Sequence, residues 1–361
     1  MRIDRLRIEN LRIIQEAELR LEPGLNWLVG PNGAGKTSVL EACSLLASGR
    51  SFRSVGGSSV LRNGCDNSVV FAELWDPERE AAVRLGLERD RQSYRARIDG
   101  LAVRSLSELF VHVPMVFVEP DSGQLIHGPG ELRRQFVDWG LFHVEQDFLP
   151  VWRRYQRALQ QRNSVLRQAG NSQALQPWTQ CLIEDGMRIH DFRQAQSERL
   201  QLSLQALLPQ LLPGLGKPSL RPRPGWSQDL ALDEALRRAE ESDRRLGYTT
   251  VGPHRYSWTL RFADGVDQQQ LSRGQAKLCA LALWLVQLQV FRQRRGLSPL
   301  LGLDDVMAEL DPDNQARVVQ FLQGLDVQCL LTRADSLEGA ADLAENSALF
   351  HVEQGHVRRQ L

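Results

Sequence analysis

At 361 residues the chain is long enough to bury a large core and to form two domains. Its 44 basic and 44 acidic side chains cancel, which excludes attraction of the whole surface to polyanions and confines any nucleic-acid contact to local patches. Five cysteines (Cys43, Cys65, Cys181, Cys279 and Cys329) form no CxxC pair, so reduced buried thiols are expected rather than disulfides or zinc.

The first residues, MRIDRLRIEN, are charged from the second position and lack an apolar signal core. No run of about 18 apolar residues follows, so a cytoplasmic chain that does not span a membrane is expected. Residues 2–8 and 13–21 alternate apolar and polar side chains, the pattern of half-buried strands. Leu25 to Val29 is an apolar run that stops at Gly30, and a helical pattern begins after Lys36 with Val39, Leu40, Ala42, Leu45 and Leu46. Between 67 and 104, Asp76-Pro77, Arg89-Asp90 and Asp99-Gly100 punctuate alternating segments and predict β-hairpins; Val111 to Val118 predicts a buried strand. From about 131 to 245 helical spacing dominates, as at Trp152, Tyr155, Leu159 and Val165/Leu166, until prolines and glycines break it at 213–225. The heptads are not sustained, so no long coiled coil is expected. After 249 strand-like sequence resumes, then a helix, an acidic strand and a final αβ stretch. The predicted fold is α/β, a head built from 1–125 and 249–361 around a mostly helical lobe at 126–248.

Three motifs carry chemistry. Gly30, Pro31, Asn32, Gly33, Ala34, Gly35, Lys36 and Thr37 spell GPNGAGKT, a P-loop in its strand-loop-helix setting. Backbone amides of such a loop wrap the β-phosphate of ATP, Lys36 reaches the β- and γ-phosphates, and the Thr37 hydroxyl binds Mg²⁺. Leu300 to Leu303 runs into Asp304 and Asp305, which point alternately off an extended backbone and can take different roles. Asp304 would hold Mg²⁺ through water; Asp305 would polarise the attacking water. Leu271 to Gln275 reads LSRGQ at the start of an apolar helix. There Ser272 offers a hydroxyl, Gly274 a closely approachable amide, and Arg273 or Lys277 a positive charge.

From Phe148 to Ile183 there is no acidic residue, while Arg153, Arg154, Arg157, Arg162 and Arg167 add charge and Trp152 and Tyr155 interleave with them. Arg153, Arg154 and Arg157 are the candidate contacts to DNA phosphates, and Arg133 and Arg134 would extend that patch.

These residues resemble the ABC-class ATPases and, within them, the RecF family of bacterial DNA-repair proteins. The resemblance covers nearly the whole chain: LRIENLR from Leu6, GPNGAGKTSVLEA from Gly30, LRRQFVDWGLFH from Leu132, WRRYQRALQQRN from Trp152, GPHR from Gly252, LSRGQAK from Leu271 and LDDVMAELD from Leu303. Asn10-Leu11-Arg12-Ile13 stands where the family often has an aromatic-Arg-Asn run, and Gly302 interrupts a bulky strand, which predicts weaker packing there. The resemblance implies an ABC-type head and an ATP-driven clamp that dimerises on DNA, with Lys36, Thr37, Asp304 and Asp305 acting in cis. Ser272, Gly274 and Gln275, with Arg273 beside them, act in trans. It places Asp311 at the dimer seam and Thr332 at a switch position. It further implies slow, DNA-stimulated ATP hydrolysis and recombinase loading at single-strand gaps or stalled forks in recombinational repair and the SOS response, with RecR and RecO as partners. The alternatives are a transporter ATPase subunit, a chromosome-organising ATPase and a non-catalytic scaffold. The long basic insertion, the lack of a coiled coil and the intact carboxylates argue against them in turn.

Overall fold

The computed structural model describes residues 1–52, 60–110, 112–168, 172–334 and 347–360. Strands β1 (Arg2–Leu11), β2 (Ile14–Arg20) and β3 (Leu25–Val29) precede helix α1 (Lys36–Ser48). Next come β4 (Asn67–Asp76), β5 (Ala81–Asp90), β6 (Tyr94–Ile98), β7 (Leu101–Ala102), α2 (Leu106–Phe110) and β8 (Met115–Val118). The middle of the chain holds α3 (Gln124–His127), α4 (Gly130–Val144), α5 (Phe148–Arg167), α6 (Ser172–Leu211), β9 (Pro218–Arg223), α7 (Leu232–Leu246) and β10 (Ser257–Phe262). The chain closes with α8 (Arg273–Arg295), β11 (Leu300–Leu303), α9 (Pro312–Gly324), β12 (Cys329–Arg333), β13 (Ala348–Glu353) and β14 (His356–Arg359).

Two compact units result: Met1–Asp121 with Phe291–Leu361, and Ser122–Val290. The second continues past 248, the boundary expected from composition, because β10 pairs with β9 inside it.

In the first unit, β2-β1-β4-β5-β6-β7 form an antiparallel sheet, and β14-β13-β3-β12-β11-β8 form a sheet that is parallel except for β14. Every residue of central β3 is buried, as parallel strands covered on both faces require. Helix α1 packs against strands of both sheets and is buried on nearly all sides, with Val39, Leu40, Leu45 and Leu46 in the core. Each such side chain contributes about 1.5–3 kcal/mol of transfer free energy. Gln328 ties the sheets together: its Oε1 accepts from Ile3 N at 2.8 Å and its Nε2 donates to Ile3 O at 2.8 Å, standing in for a strand partner.

Three expectations change here. Only Met115–Val118 of the predicted strand is extended, after the short helix α2; Val111 lies outside the described residues. Gly302 does not weaken β11: a Cβ there would stand 2.8 Å from Cδ1 of Phe117, so the glycine makes room for that ring, which stacks on Phe52 at 5.0 Å. Cys43, Cys279 and Cys329 are buried thiols pushed up to about 12 by burial, but Cys65 is half-buried and Cys181 exposed; all five are free.

In the second unit α5 buries Val151, Tyr155, Ala158 and Leu166 along one stripe. Helix α6 runs for 40 residues, about 60 Å at helical rise. The proline-glycine cluster at 213–225, expected to be a break, contains β9, which pairs with β10 from Ser257↔Arg223 to Phe262↔Pro218. Pro218 and Pro222 disguise it, and both are compatible with an edge strand. That edge is sealed by Gln201, whose Oε1 accepts from Leu220 N at 2.5 Å and whose Nε2 donates to Pro218 O at 2.9 Å. Helix α8 is long and apolar enough to cross a bilayer by length and composition, yet 72% of its most apolar window is buried inside the protein. It is a core helix.

Candidate functional site

The loop from Gly30 to Thr37 joins β3 to α1. Gly30 admits no side chain, since a Cβ would fall 1.9 Å from Val352 O, and Gly33 and Gly35 take φ of +79° and +113°, where other residues are strained. No side chain caps α1, so its first-turn amides and dipole are left for an anion. Buried Lys36 donates from Nζ to Gly30 O at 2.7 Å and to Pro31 O at 3.1 Å. A buried ammonium needs such acceptors, and a phosphate can replace them.

Parallel pairing of β11 with β12 in the register Leu303↔Leu331 sets Thr332 beside Asp304. Thr37 Oγ1 donates to Asp304 Oδ1 at 2.8 Å across 267 residues of sequence, and Thr332 Oγ1 donates to the same oxygen at 2.9 Å. The Thr332 hydroxyl also accepts from Asp305 N at 2.7 Å, so one side chain positions both acidic residues. Asp305 sits at φ 48° and ψ 19°, a left-handed conformation uncommon outside glycine that aspartate and asparagine adopt more readily than most residues. Its Oδ1 is buried and has no hydrogen-bond partner among the described residues. An orphaned carboxylate oxygen is costly unless a water or cation satisfies it.

Thr37 and Asp305 border a cavity of about 540 Å³ that is also lined by Arg12, Asn32, Gly33 and Lys36. Glu41, which belongs to none of the three motifs, holds Arg12 there: Arg12 Nε donates to Oε2 at 3.0 Å and Nη2 to Oε1 at 2.7 Å, while Ser51 Oγ donates to Oε1 at 2.5 Å. Glu41 is fully buried. The sequence does carry a signal for it, because a carboxylate among Val39, Leu40 and Ala42 must find a cation. The hydroxyl of Thr37 and the carboxylate of Asp304, in contact at 2.8 Å, are hard oxygen donors that fit Mg²⁺.

The signature segment belongs to the second unit. Ser272 Oγ accepts from Gln275 N at 3.2 Å and Gln275 Oε1 accepts from Ser272 N at 2.9 Å, a reciprocal cap on α8. Ser272, Arg273 and Gly274 are exposed. A Cβ on Gly274 would meet nothing within 4 Å, so the chain's own packing does not demand that glycine.

The arginine patch is smaller than the sequence suggests. Arg153 and Arg157 are exposed on α5, but Arg154 pairs with Asp185 at 2.5 Å. Arg162 is buried and bonded to Asp243 at 2.7 Å, so it adds no surface charge. Tyr155 is a core residue whose hydroxyl meets His254 Nδ1 at 2.7 Å. Arg133 donates to Ser257 Oγ and to the carbonyls of Ile126 and Gly128, fastening α4 in place.

A P-loop opening a buried helix, an acidic pair ending a neighbouring parallel strand and a capped signature helix define an ATPase head of the ABC class. Residues 2–357 match the family described as RecF/RecN/SMC N terminal domain. The chain is 43% identical over 362 residues to the DNA replication and repair protein RecF of Stenotrophomonas maltophilia (strain R551-3), covering 99% of each. It is 37% identical to the RecF protein of Yersinia pseudotuberculosis serotype O:1b (strain IP 31758), covering 100% of this chain and 99% of that one. The chain belongs to the RecF family. Its fold matches the structure described as the recombination mediator protein RecF-ATP in the RecFOR pathway, with a TM-score of 0.87 at 24% identity over 99% and 97% of the two chains. An Smc head bound to the C-winged helix domain of ScpA follows at 0.63 and 14% identity, over 99% and 97%. The transporter alternative finds no support among these relatives.

Proposed function

We propose that this chain is an ATP-dependent DNA-binding protein of replication and recombinational repair, which pairs with a second copy on DNA when ATP is bound and helps load recombinase at single-strand gaps or stalled forks. The observation that carries the reading is the convergence of Lys36, Thr37, Asp304 and Asp305 from the two chain ends onto one loop. Lys36 and the loop amides bind the phosphates. Thr37 and Asp304 hold Mg²⁺, which neutralises phosphate charge when bound. Asp305 orients and deprotonates the attacking water with its free oxygen. Ser272, Arg273, Gly274 and Gln275 close the site of the other copy, and Asp311 lies at the seam. Hydrolysis is slow and stimulated by DNA, the protein works in the cytoplasm, and RecR and RecO are its mediators. The RecF names of the relatives support this assignment.

Gly274 gives a specific expectation. Glycine in a helix interior costs about 1 kcal/mol relative to alanine, Gly274 is the second residue of α8, and nothing among the described residues requires it. Gly274→Ala should leave monomer melting unchanged or slightly raised while abolishing ATP-dependent pairing in sedimentation. Undiminished pairing would remove the signature from the interface.

The direct test of the whole reading is a DNA titration with and without Mg-ATP, alongside sedimentation. DNA binding that tightens with ATP and coincides with a doubled mass supports it; a monomer whose DNA affinity ignores ATP sinks it. In the same assay Arg153→Ala, Arg154→Ala and Arg157→Ala combined should weaken DNA binding. They should also flatten its salt dependence by about 0.9 in log-log slope for each DNA phosphate no longer neutralised. Because Arg154 already pairs with Asp185, most of that effect should come from Arg153 and Arg157. Unaltered affinity and slope would move the DNA surface elsewhere.

A further inference from the structure

We propose that a groove on the Ser122–Val290 unit docks an acidic, extended peptide of a partner protein that carries one apolar anchor side chain. Two adjoining cavities of about 350 and 390 Å³ share Pro222, Pro224, Trp226 and Gln228 in their walls. The first is lined on its apolar side by Met187, Leu230 and Leu232. Met187 is 38% exposed, one of the few large apolar side chains left at the surface among the described residues. A pocket of this composition accepts a leucine, isoleucine or phenylalanine.

The second cavity opens on the face of the β9–β10 ribbon that carries Arg221, Arg223 and Arg261. Arg221 lies opposite Thr259 and Ser219 opposite Arg261, so the alternation of side chains puts all three arginines on one face. Asp267 meets Arg261 at 3.2 Å; Arg221 and Arg223 have no carboxylate partner among the described residues. Neither cavity has an acidic residue in its lining among the described residues. The two β9 arginines stand about 6–7 Å apart along the strand, the spacing of carboxylates two residues apart on an extended chain. An apolar anchor site with a guanidinium rim is the arrangement that concentrates binding energy at protein interfaces.

The occupant is read through its side chains rather than by strand addition. Gln201 already holds Leu220 N and Pro218 O, and Gln228 donates to Pro222 O at 3.1 Å, so the β9 edge is closed. A single nucleic-acid strand fits less well, because it needs successive free aromatic faces. Trp226 is the aromatic residue shared by both cavities, and its ring packs against His190 at 5.2 Å while its Nε1 donates to Leu230 O. The groove contains none of the nucleotide-site residues, so the proposal stands apart from the ATPase reading.

The test is fluorescence anisotropy on the full chain, with labelled short peptides of Asp and Glu that each hold one Leu, Ile or Phe. Labelled oligo-dT is run in parallel. The peptides should bind; Arg221→Glu with Arg223→Glu should weaken them about tenfold or more, as should Met187→Glu or replacement of the anchor by Ser. ATP affinity and melting temperature should not move in these variants. No peptide binding, equal binding by wild type and the charge-reversed variant, or loss confined to oligo-dT would each overturn the proposal, the last in favour of a nucleic-acid groove.

Discussion

Asp305→Asn should bind Mg-ATP as tightly as the unaltered chain and hydrolyse it at least about 100-fold more slowly, the usual contribution of a positioned base. The reasons lie in the local geometry. Asp305 Oδ1 is buried with no partner among the described residues, whereas Asp304 takes hydrogen bonds from both Thr37 and Thr332. On the proposed reading the two carboxylates divide the work, Asp304 bonded to Thr37 at the metal position and Asp305 with an oxygen left for the attacking water. Asparagine is suited to the test because it tolerates the left-handed backbone at φ 48° and keeps the hydrogen bond from the backbone N–H of residue 305 to Thr332 Oγ1. If hydrolysis opens the proposed dimer, the variant should also stay paired on DNA after ATP is added. Single-turnover hydrolysis and equilibrium nucleotide binding separate the effects. A hydrolysis rate within severalfold of the unaltered chain would show that another group activates the water.

The second large effect is on stability. Arg162 and Asp243 are both essentially inaccessible, and they join α5 to α7. Arg162 Nη1 also donates to Thr249 Oγ1 at 2.7 Å, and Asp243 Oδ1 accepts from the amide and hydroxyl of Thr250 at 2.9 and 2.6 Å. Asp243→Ala leaves a guanidinium buried without its counter-charge and should cost about 3–5 kcal/mol, read as a lower urea midpoint. Arg162→Met with Asp243→Leu should recover much of that loss, because removing both charges also removes the desolvation penalty. A loss below about 1 kcal/mol in the single variant would mean that water reaches the pair and relieves it.

The nucleotide machinery is legible in the sequence because its chemistry is local. A glycine-rich turn between an apolar strand and an apolar helix can be read from eight consecutive residues, and the carboxylate pair from six. Capping at Ser272 and Gln275 is likewise set within one helical turn. The basic surface is less legible. A run without acidic residues reports charge along the chain but not which side of α5 is covered, and Arg162 and Tyr155 face inward. Strand β9 escapes a sequence reading because its partner begins 34 residues further on, while its prolines signal a turn to any local pattern.

What the sequence alone determined is the set of reactive groups and the short backbone pieces that carry them: the P-loop, the acidic strand and the signature helix. Tertiary structure decided which groups meet. Thr332 bridges Asp304 and Asp305, Glu41 restrains Arg12, Arg162 is spent inside the second unit, and Gln328 joins β1 to the parallel sheet. Local propensity comes from a residue's immediate neighbours, whereas these contacts span from 27 to 325 positions and exist only once strand order and register are set.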